Sequence, residues 1–488
     1  MSEKAYPFLN QINIDQDVRR RLSYSLDLVV KGNNEVYTTP LGKDGNADKI
    51  LSKLDKVFKD NNSKLINSTL QKMEEQNRDK FGPRSIAIPW SERKESLLDS
   101  FKYENKSAKD LKIRLSNKVA LRPISLETAI SKLKNDTNSG LPYYTRKSKV
   151  KDKIFDEFDD LMKENYPCIL FTRTQESKKT RNVWGYPIDK TTNEMMYYSP
   201  LLEYQRKYAS YRSALLGPEQ VCRSLTEIIK HAVRNKRDIV SIDFSAYDNS
   251  VNPQLQQRAF EFIQELFQKK YHPEINELYL TFNRIGIITP DGILSGPHGV
   301  PSGSTFTNEV DSIVQFLISS NSTYVDQDFI QIQGDDGVYC VSSGNANKLF
   351  KEFESHGLEV NEDKSYVSQD YAIYLQNLFH MDYYDKDKDL IGGIYPLYRA
   401  LNRICYQERW TDFEDYGLKG RDYYAIRTLC ILENCKHHPL FEEFVKLIYQ
   451  EDKYSLEFSE QGLKSYLHMM NQTQGLGGII INQHGDDA

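Results

Sequence analysis

Apolar positions recur at helical spacing through the first half of the chain and change to short β-prone runs in its middle third. Residues 1 to about 235 are polar and strongly charged, with helical stretches such as ADKILSKLDKVFKDNNSKLINSTLQKMEEQ (47–76), whose outer face is solvated. From about 236 to about 380, short apolar strands alternate with long amphipathic helices, which predicts a compact α+β unit. After LIGGIYPLYRALNRICY (390–406) the pattern is mainly helical to about residue 470, and the chain closes on a Gly-rich tail, QGLGGIIINQHGDDA (474–488). No unit of about 20–50 residues repeats, and no long Pro- or Ser-rich linker divides the chain.

Charge enters the middle third where the pattern is most apolar. In QIQGDDGVYC (331–340) the runs FIQIQ and GVYCV flank Gly334, Asp335 and Asp336, a connection of hairpin length. At a turn both carboxylates project from the tip, whereas within a strand they would point to opposite faces. Adjacent anions repel, and a bound cation is the natural compensation. Asp-Gly is also an ordinary turn dipeptide, so this stretch alone leaves both readings open.

Two further stretches bear on that choice. RDIVSIDFSAYDNSVNP (237–253) runs an apolar strand into Asp243, carries Asp248 five residues on, and then offers Asn252-Pro253 as helix cap and first turn. Leu255, Ala259, Ile263 and Leu266 follow at helical spacing; taken alone, Asp243 and Asp248 could simply cap turns. SGPHGVPSGSTFTNEVDSIVQFLIS (295–319) is a Gly- and Ser-rich loop feeding a helix. Its buried stripe is Phe306, Val310, Ile313 and Leu317, with Thr307 and Asp311 on an adjacent face. Backbone N–H groups of the Ser302-Gly303 loop at that helix start suit a phosphate.

Composition narrows the class. The 488 residues suffice for a large core, and 39% hydrophobic with 27% charged residues describe a folded chain, not a disordered one. A net charge of −5 argues against a uniformly basic nucleic-acid coat, though not against a basic channel in an acidic exterior. The start lacks the apolar core of a signal peptide and no apolar run approaches the ~18 residues that span a bilayer, so a soluble intracellular setting is expected. Six scattered Cys without a CxxC pair indicate neither a disulfide framework nor a zinc ribbon. CILENCKHH (430–438) fits no common zinc spacing and is expected to supply buried thiols and surface imidazoles.

Taken together, Asp-x4-Asp, Ser-Gly-x3-Thr-x3-Asp and Gly-Asp-Asp at a hairpin, in that order, resemble motifs A, B and C of the viral RNA-dependent RNA polymerases. The wording GVPSGSTFTNEVDS and KTRNVWGYP is most similar to the picobirnavirus enzymes, with the partitivirus polymerases next. The resemblance implies an α+β right-hand polymerase fold with an antiparallel palm sheet packed on helices. It divides the chain into an N-terminal extension (1–60), fingers (61–235), a palm (236–385) with an inserted fingers segment near 270–295, a helical thumb (386–470) and a tail (471–488).

It also implies roles. Asp243, Asp335 and Asp336 would hold two Mg²⁺ or Mn²⁺ ions, whose preferred ligands are carboxylate oxygens. Asp248 and Asp311 map onto the pair that senses the ribose 2′-OH; many positive-strand enzymes carry Asn where Asp311 stands, so their hydrogen-bond network is not copied unchanged. Ser302, Gly303 and Thr307 would help hold template and ribose. GLEVNEDKSYV (357–367) resembles motif D, making Lys364 the general acid toward pyrophosphate, and YAIYLQNLF (371–379) resembles motif E, whose aromatics also suit core packing. FTRTQESKKTRNVWGYP (171–187) resembles motif F, with Arg173, Lys179 and Arg181 on the triphosphate and Arg181 the strongest candidate for a bidentate grip. TNSGLPYY (137–144) resembles motif G, which guides the template.

The implied function is RNA-directed RNA synthesis for a double-stranded RNA virus. Its partners are RNA template and product, NTPs and the capsid protein, with no membrane, for a monomer in the virion interior and host cytoplasm. Two alternatives are a reverse transcriptase, which shares the palm carboxylates but typically places an aromatic residue before x-Asp-Asp, and a non-catalytic RNA-binding protein whose carboxylates only cap turns.

Overall fold

The computed structural model describes residues 6–104 and 106–474, so the second Gly-Asp-Asp, at 485–487, lies outside the described residues. The chain forms two compact units, one of residues 1–31, 89–172 and 182–375, the other of 32–88, 173–181 and 376–488.

The first unit contains the predicted α+β region. Strands β3 (Asp238–Ile242), β6 (Val325–Gln333), β7 (Asp336–Val341) and β8 (Tyr366–Ser368) make one antiparallel sheet in the order β6-β7-β3-β8. The β6–β7 connection is tighter than the pattern suggested. Gln333 pairs with Asp336, so Gly334 and Asp335 are the whole loop and Asp336 is already the first residue of β7. Gly334 has φ +63°, the left-handed region that a two-residue hairpin asks of its first loop position.

Helices Pro253–Leu266, Thr307–Asn321 and Ala346–Ser355 contribute to the core over one face of this sheet. Leu255, Ala259, Ile263 and Leu266 are fully buried, as are Phe306, Val310, Ile313 and Leu317, so both predicted stripes are the contact faces. Burying one such side chain contributes about 1.5–3 kcal/mol. Asn252 caps the first of these helices as its sequence predicts, accepting from the N–H groups of Gln254 (3.0 Å) and Leu255 (3.1 Å). The second helix has no cap of its own: Glu194, from helix Ile188–Tyr208, accepts from the Thr305 N–H at 2.7 Å and the Ser304 hydroxyl at 2.6 Å.

A second sheet, most of whose residues belong to this unit, has the order β2-β1-β4-β5, with β4 (Ile287–Thr289) parallel to β1 (Cys168–Thr174) and antiparallel to β5 (Gly292–Leu294); β2 is Thr180–Gly185. It is the 270–295 segment, through β4 and β5, that completes this sheet.

The second unit is mainly helical. The stretch 47–76 is two helices, Asn46–Asp60 and Ser68–Arg78, because the Asn- and Ser-rich segment between them breaks the pattern and Asn67 caps the second helix through Leu70 N–H at 2.9 Å. Helices Leu397–Cys405, Gly420–Asn434, Phe441–Glu451 and Glu460–Gln474 follow. Cys435 is buried as expected, but His438 is not at the surface: its Nε2 lies 2.9 Å from Glu74, whose carboxylate also accepts the N–H groups of Leu397 and Tyr398. A carboxylate from a distant helix at ion-pair distance accompanies the burial, and local spacing carries no signal of it. Among the described residues no helix is long and apolar enough to cross a membrane.

Candidate active site

The site is built at one end of the β6-β7-β3-β8 sheet. All five residues of β3 are buried, and Asp243 is the first residue beyond it. The β3–β7 register pairs Ile242 with Gly337, so one further step sets Asp243 across from Asp336, beside the exposed Asp335 of the loop. Antiparallel neighbours at such a step are about 4.5–5.5 Å apart at Cα. Three carboxylates thus share one sheet end.

The backbone at Asp243 is braced from motif D. Its N–H donates to the Ser365 hydroxyl at 3.0 Å and its carbonyl accepts from Asn361 N–H at 2.8 Å. Lys364 lies on this brace, exposed to solvent, one residue from the Ser365 contact. After Asp243 the chain turns through Ala246, at φ +45°, into a short helix, Tyr247–Ser250, that carries Asp248. A residue with a Cβ in that region is held there only by its surroundings. Here the surroundings include Asp248's carbonyl, which accepts from Val300 N–H at 2.7 Å. That approach leaves no room at Gly299, where a Cβ would fall 2.4 Å from the same carbonyl oxygen.

Asp248 and Asp311 meet as predicted. The Ser302 hydroxyl donates to Asp248, and Asp311, buried on the Thr307–Asn321 helix, faces the Asp248 carboxylate. Burial, then Asp248, then Asp335 hold the Asp311 carboxyl well above the usual range, and the two carboxyl groups are hydrogen-bonded to each other. The Asp311 Oδ1 is buried without a hydrogen-bond partner in the protein, and a group placed so is ready for a ligand's hydroxyl. Gly303 and Thr307 close the loop below: Thr307 Oγ1 donates to Pro301 carbonyl at 3.0 Å, and Ser302 carbonyl accepts Trp184 N–H at 2.7 Å.

The Gly334–Asp335 loop is clamped by side chains that local pattern did not reveal. Gly334 N–H donates to Ser312 Oγ at 2.8 Å and its carbonyl accepts from Gln315 Nε2 at 2.6 Å, both from the Thr307–Asn321 helix. Arg212, wholly buried, reaches Glu309 (2.9 and 3.1 Å), Asn308 (2.8 Å) and Gln333 (3.2 Å) and bonds Gln205 as well. One guanidinium therefore ties the start of the motif B helix to the last residue before the acidic loop. Nothing in the spacing around Arg212 separates it from a surface arginine; the signal lies in partners 96, 97 and 121 residues away. Below the loop, Tyr374 of strand Tyr371–Tyr374 is buried, and burial with Asp336 nearby raises its hydroxyl. The motif E aromatics are core packing at this point.

Arg173, Lys179 and Arg181 belong to the second unit. Arg173 pairs with Glu408 at 3.3 Å, while Lys179 and Arg181 are exposed.

The donor set Asp243, Asp335 and Asp336 consists of carboxylate oxygens only, with one member exposed, which suits hard divalent cations in a site that keeps positions open to a second ligand.

The sequence model of the family described as viral RNA-dependent RNA polymerase matches residues 89–382, more than half of the chain. A potential RNA-dependent RNA polymerase of human picobirnavirus (strain Human/Thailand/Hy005102/-) is 29% identical over 474 residues, covering 87% of this chain and 84% of the relative. An RNA-directed RNA polymerase of Cryptosporidium parvum virus 1 (strain KSU-1) is 24% identical over 388 residues, 73% of each. Among solved structures, the RNA-dependent RNA polymerase of a human picobirnavirus superposes with a TM-score of 0.80 at 24% identity, over 99% of this chain and 95% of that one. Its insertion-loop deletion mutant gives 0.79 at 26% identity over 96% of each chain.

Proposed function

The chain belongs to the viral RNA-dependent RNA polymerases, with their right-hand fold, and from that premise we propose that it copies RNA for a double-stranded RNA virus by nucleotidyl transfer at the Asp243, Asp335 and Asp336 site. Divalent metal use comes with the family; the assignment of the ions to these three residues is supported by the β3–β7 register, the observation that carries the reading. Two such ions, Mg²⁺ or Mn²⁺, would supply charge stabilisation to the attacking 3′-oxygen and to the departing pyrophosphate.

The remaining residues position and move protons. Asp311 hydrogen-bonds Asp248, the Ser302 hydroxyl donates to the same Asp248 carboxylate, and the buried Asp311 Oδ1 is left to take the ribose 2′-OH. A deoxyribose leaves that buried oxygen unsatisfied, and selectivity for ribonucleotides follows. Ser302, Gly303 and Thr307 shape the loop over which the nucleotide lies. Lys364, exposed beside the Asp243 brace, gives its proton to pyrophosphate. Arg173, Lys179 and Arg181 neutralise the triphosphate, Arg181 with a free fork while Arg173 also serves Glu408. RNA template, RNA product and NTPs are its partners, and the virion interior and host cytoplasm are its setting, with the capsid protein as neighbour.

The test is direct. Purified protein, a short RNA, NTPs and Mn²⁺ should yield full-length complementary RNA, and dNTPs should not substitute. Incorporation by Asp335→Ala at the rate of the unaltered protein, or a preference for dNTPs, would overturn the reading.

A further inference from the structure

The β6–β7 hairpin carries a second cluster, at the end away from its loop. Asp326, the second residue of β6, accepts from His231 Nε2 at 3.0 Å, and Cys340, the fifth residue of β7, places its sulfur 3.6 Å from the same oxygen, Oδ2. The ligating atoms of His231, Asp326 and Cys340 lie within 4.8 Å of one another, and they are the described residues in which three such groups converge this closely. Cys340 is four residues along β7 from Asp336, about 13 Å at the rise of a strand. It follows Tyr339, whose hydroxyl bonds Gln315 on the motif B helix, so the alternation of the strand turns Cys340 to the opposite sheet face, where helix Pro218–Asn235 brings His231.

We propose that His231, Asp326 and Cys340 form a site for a borderline-soft divalent cation such as Zn²⁺, separate from the catalytic carboxylates, joining helix Pro218–Asn235 to the base of the catalytic hairpin. Zinc bound by S, N and O at about 2.3, 2.1 and 2.0 Å requires about 3.3–3.6 Å between ligand atoms in a tetrahedron. The 3.0 and 3.6 Å spacings from Asp326 need only small adjustments, and the imidazole nitrogen and the sulfur, within 4.8 Å of each other, draw together by up to about 1.2 Å. The donor types choose the metal: a thiol and an imidazole disfavour Mg²⁺, which wants oxygen and keeps its waters. Three protein ligands leave the fourth position to water.

The surroundings fit the role. Arg237 donates to the other oxygen of Asp326, Oδ1, at 3.0 Å, leaving Oδ2 to the cluster. Phe329 stacks on the His231 ring at 3.7 Å, fixing its plane, and the Asn235 side-chain amide sits 3.1 Å from Nδ1. Supports of this kind orient the ligands of a metal. Without a cation the Cys340 thiol donates to the Asp326 carboxylate. On binding, that proton passes to solvent and the cation takes its place. Bound through Nε2, the imidazole carries its proton on Nδ1, while the Asn235 amide keeps its bond to the His231 carbonyl at 2.9 Å.

Full-length protein carrying Asp243→Asn and Asp335→Asn, which disables the catalytic carboxylates, is passed through gel filtration in micromolar Zn²⁺ with excess Mg²⁺ and its metal content measured. Co²⁺ replaces Zn²⁺ in a parallel sample. One equivalent of Zn²⁺ and a thiolate-to-Co²⁺ charge-transfer band are expected, both lost in Cys340→Ser and the metal content reduced at least tenfold in His231→Gln. Less than a tenth of an equivalent of Zn²⁺ and no such band in the parent would overturn the proposal. So would Zn²⁺ retained equally by parent, Cys340→Ser and His231→Gln. The parent measurement decides the matter even where a variant fails to fold, and RNA synthesis by protein with its catalytic carboxylates intact reports on the catalytic reading independently.

Discussion

One hairpin carries charge at both ends, and the two ends differ in what holds them. At the loop end, Asp335 is exposed and Asp336 lies opposite Asp243, so three carboxylates gather there, while Ser312 and Gln315 hold the Gly334 backbone. At the far end, a single carboxylate, Asp326, is already surrounded by donors: Arg237, His231 and Cys340. The loop end sets an exposed carboxylate on a clamped backbone, as suits a site that takes up and releases ions and phosphates at every turnover. The far end is partly buried and ringed by donors, the character of a structural joint. Position on the strand therefore matters less than whether carboxylates gather in the open or a single one is enclosed by donors.

The largest effect expected from breaking this contrast is Asp335→Ala. Losing this exposed member of the carboxylate set should lower NTP incorporation by about three orders of magnitude or more. It should cost the fold little, because Asp335 is exposed; unchanged thermal unfolding beside lost incorporation is the measurement.

The clamp beneath the loop comes next. Arg212→Met leaves Glu309 buried without its partner, and breaking a buried pair in this way destabilises by about 3–5 kcal/mol. The neutral pair Arg212→Met with Glu309→Gln should recover part of that loss. Because Gln333 and Asn308 also lose their donor, the double variant should remain slow at saturating NTP, with kcat reduced more than KM is raised. A double variant with full kcat would mean that Arg212 serves stability alone.

Glu194 sharpens the comparison on the helix that carries the clamp. Burial raises its carboxyl to about 7, against hydrogen bonds from Ser304 and Thr305 that lower it. A raised carboxyl binds its proton more tightly folded than unfolded, so its contribution to stability is full below the unfolded value near 4.5 and is lost as pH rises to about 7. Over that window the loss is of order 3 kcal/mol. Glu194→Gln mimics the protonated form, so unfolding scans from pH 5 to 8 should show the parent losing stability relative to the variant; parallel curves would sink the idea.

How much of this was legible beforehand follows the range of each interaction. Asn252 as a cap and the stripes Leu255–Ala259–Ile263 and Phe306–Val310–Ile313 are set by neighbours within one or two turns, and the pattern of the chain reports them. Asp243, Asp248, Asp311 and Asp335 are assigned through a family resemblance, since alone Asp243, Asp248 and Asp335 suit turns and Asp311 a helix face. Arg212, Gln315 and Glu194 were not found, because what distinguishes them is a partner far along the chain. The same holds for His231, Asp326 and Cys340, which come from one helix and two strands and match no ligand spacing. His438, expected at the surface, is buried for the same reason, through Glu74.

The smallest effect on synthesis belongs to the far end, and it is the sharpest check on the contrast. Asp326→Asn removes the charge facing Arg237, His231 and Cys340 while preserving shape. If the far end is only a joint, Mg²⁺-supported incorporation should stay within about twofold of the parent, since the strand between Asp326 and the loop is held by its ladder and by Gln331, whose amide bonds Ser210 carbonyl at 3.0 Å and whose oxygen accepts from Ser213 N–H at 3.2 Å. Zn²⁺ retention, by contrast, should fall, because an amide oxygen is a weaker ligand than a carboxylate. A fall in incorporation as deep as that of Asp335→Ala would show instead that the two ends act as one site through the hairpin, and the distinction between an open end of gathered carboxylates and a closed end ringed by donors would not stand.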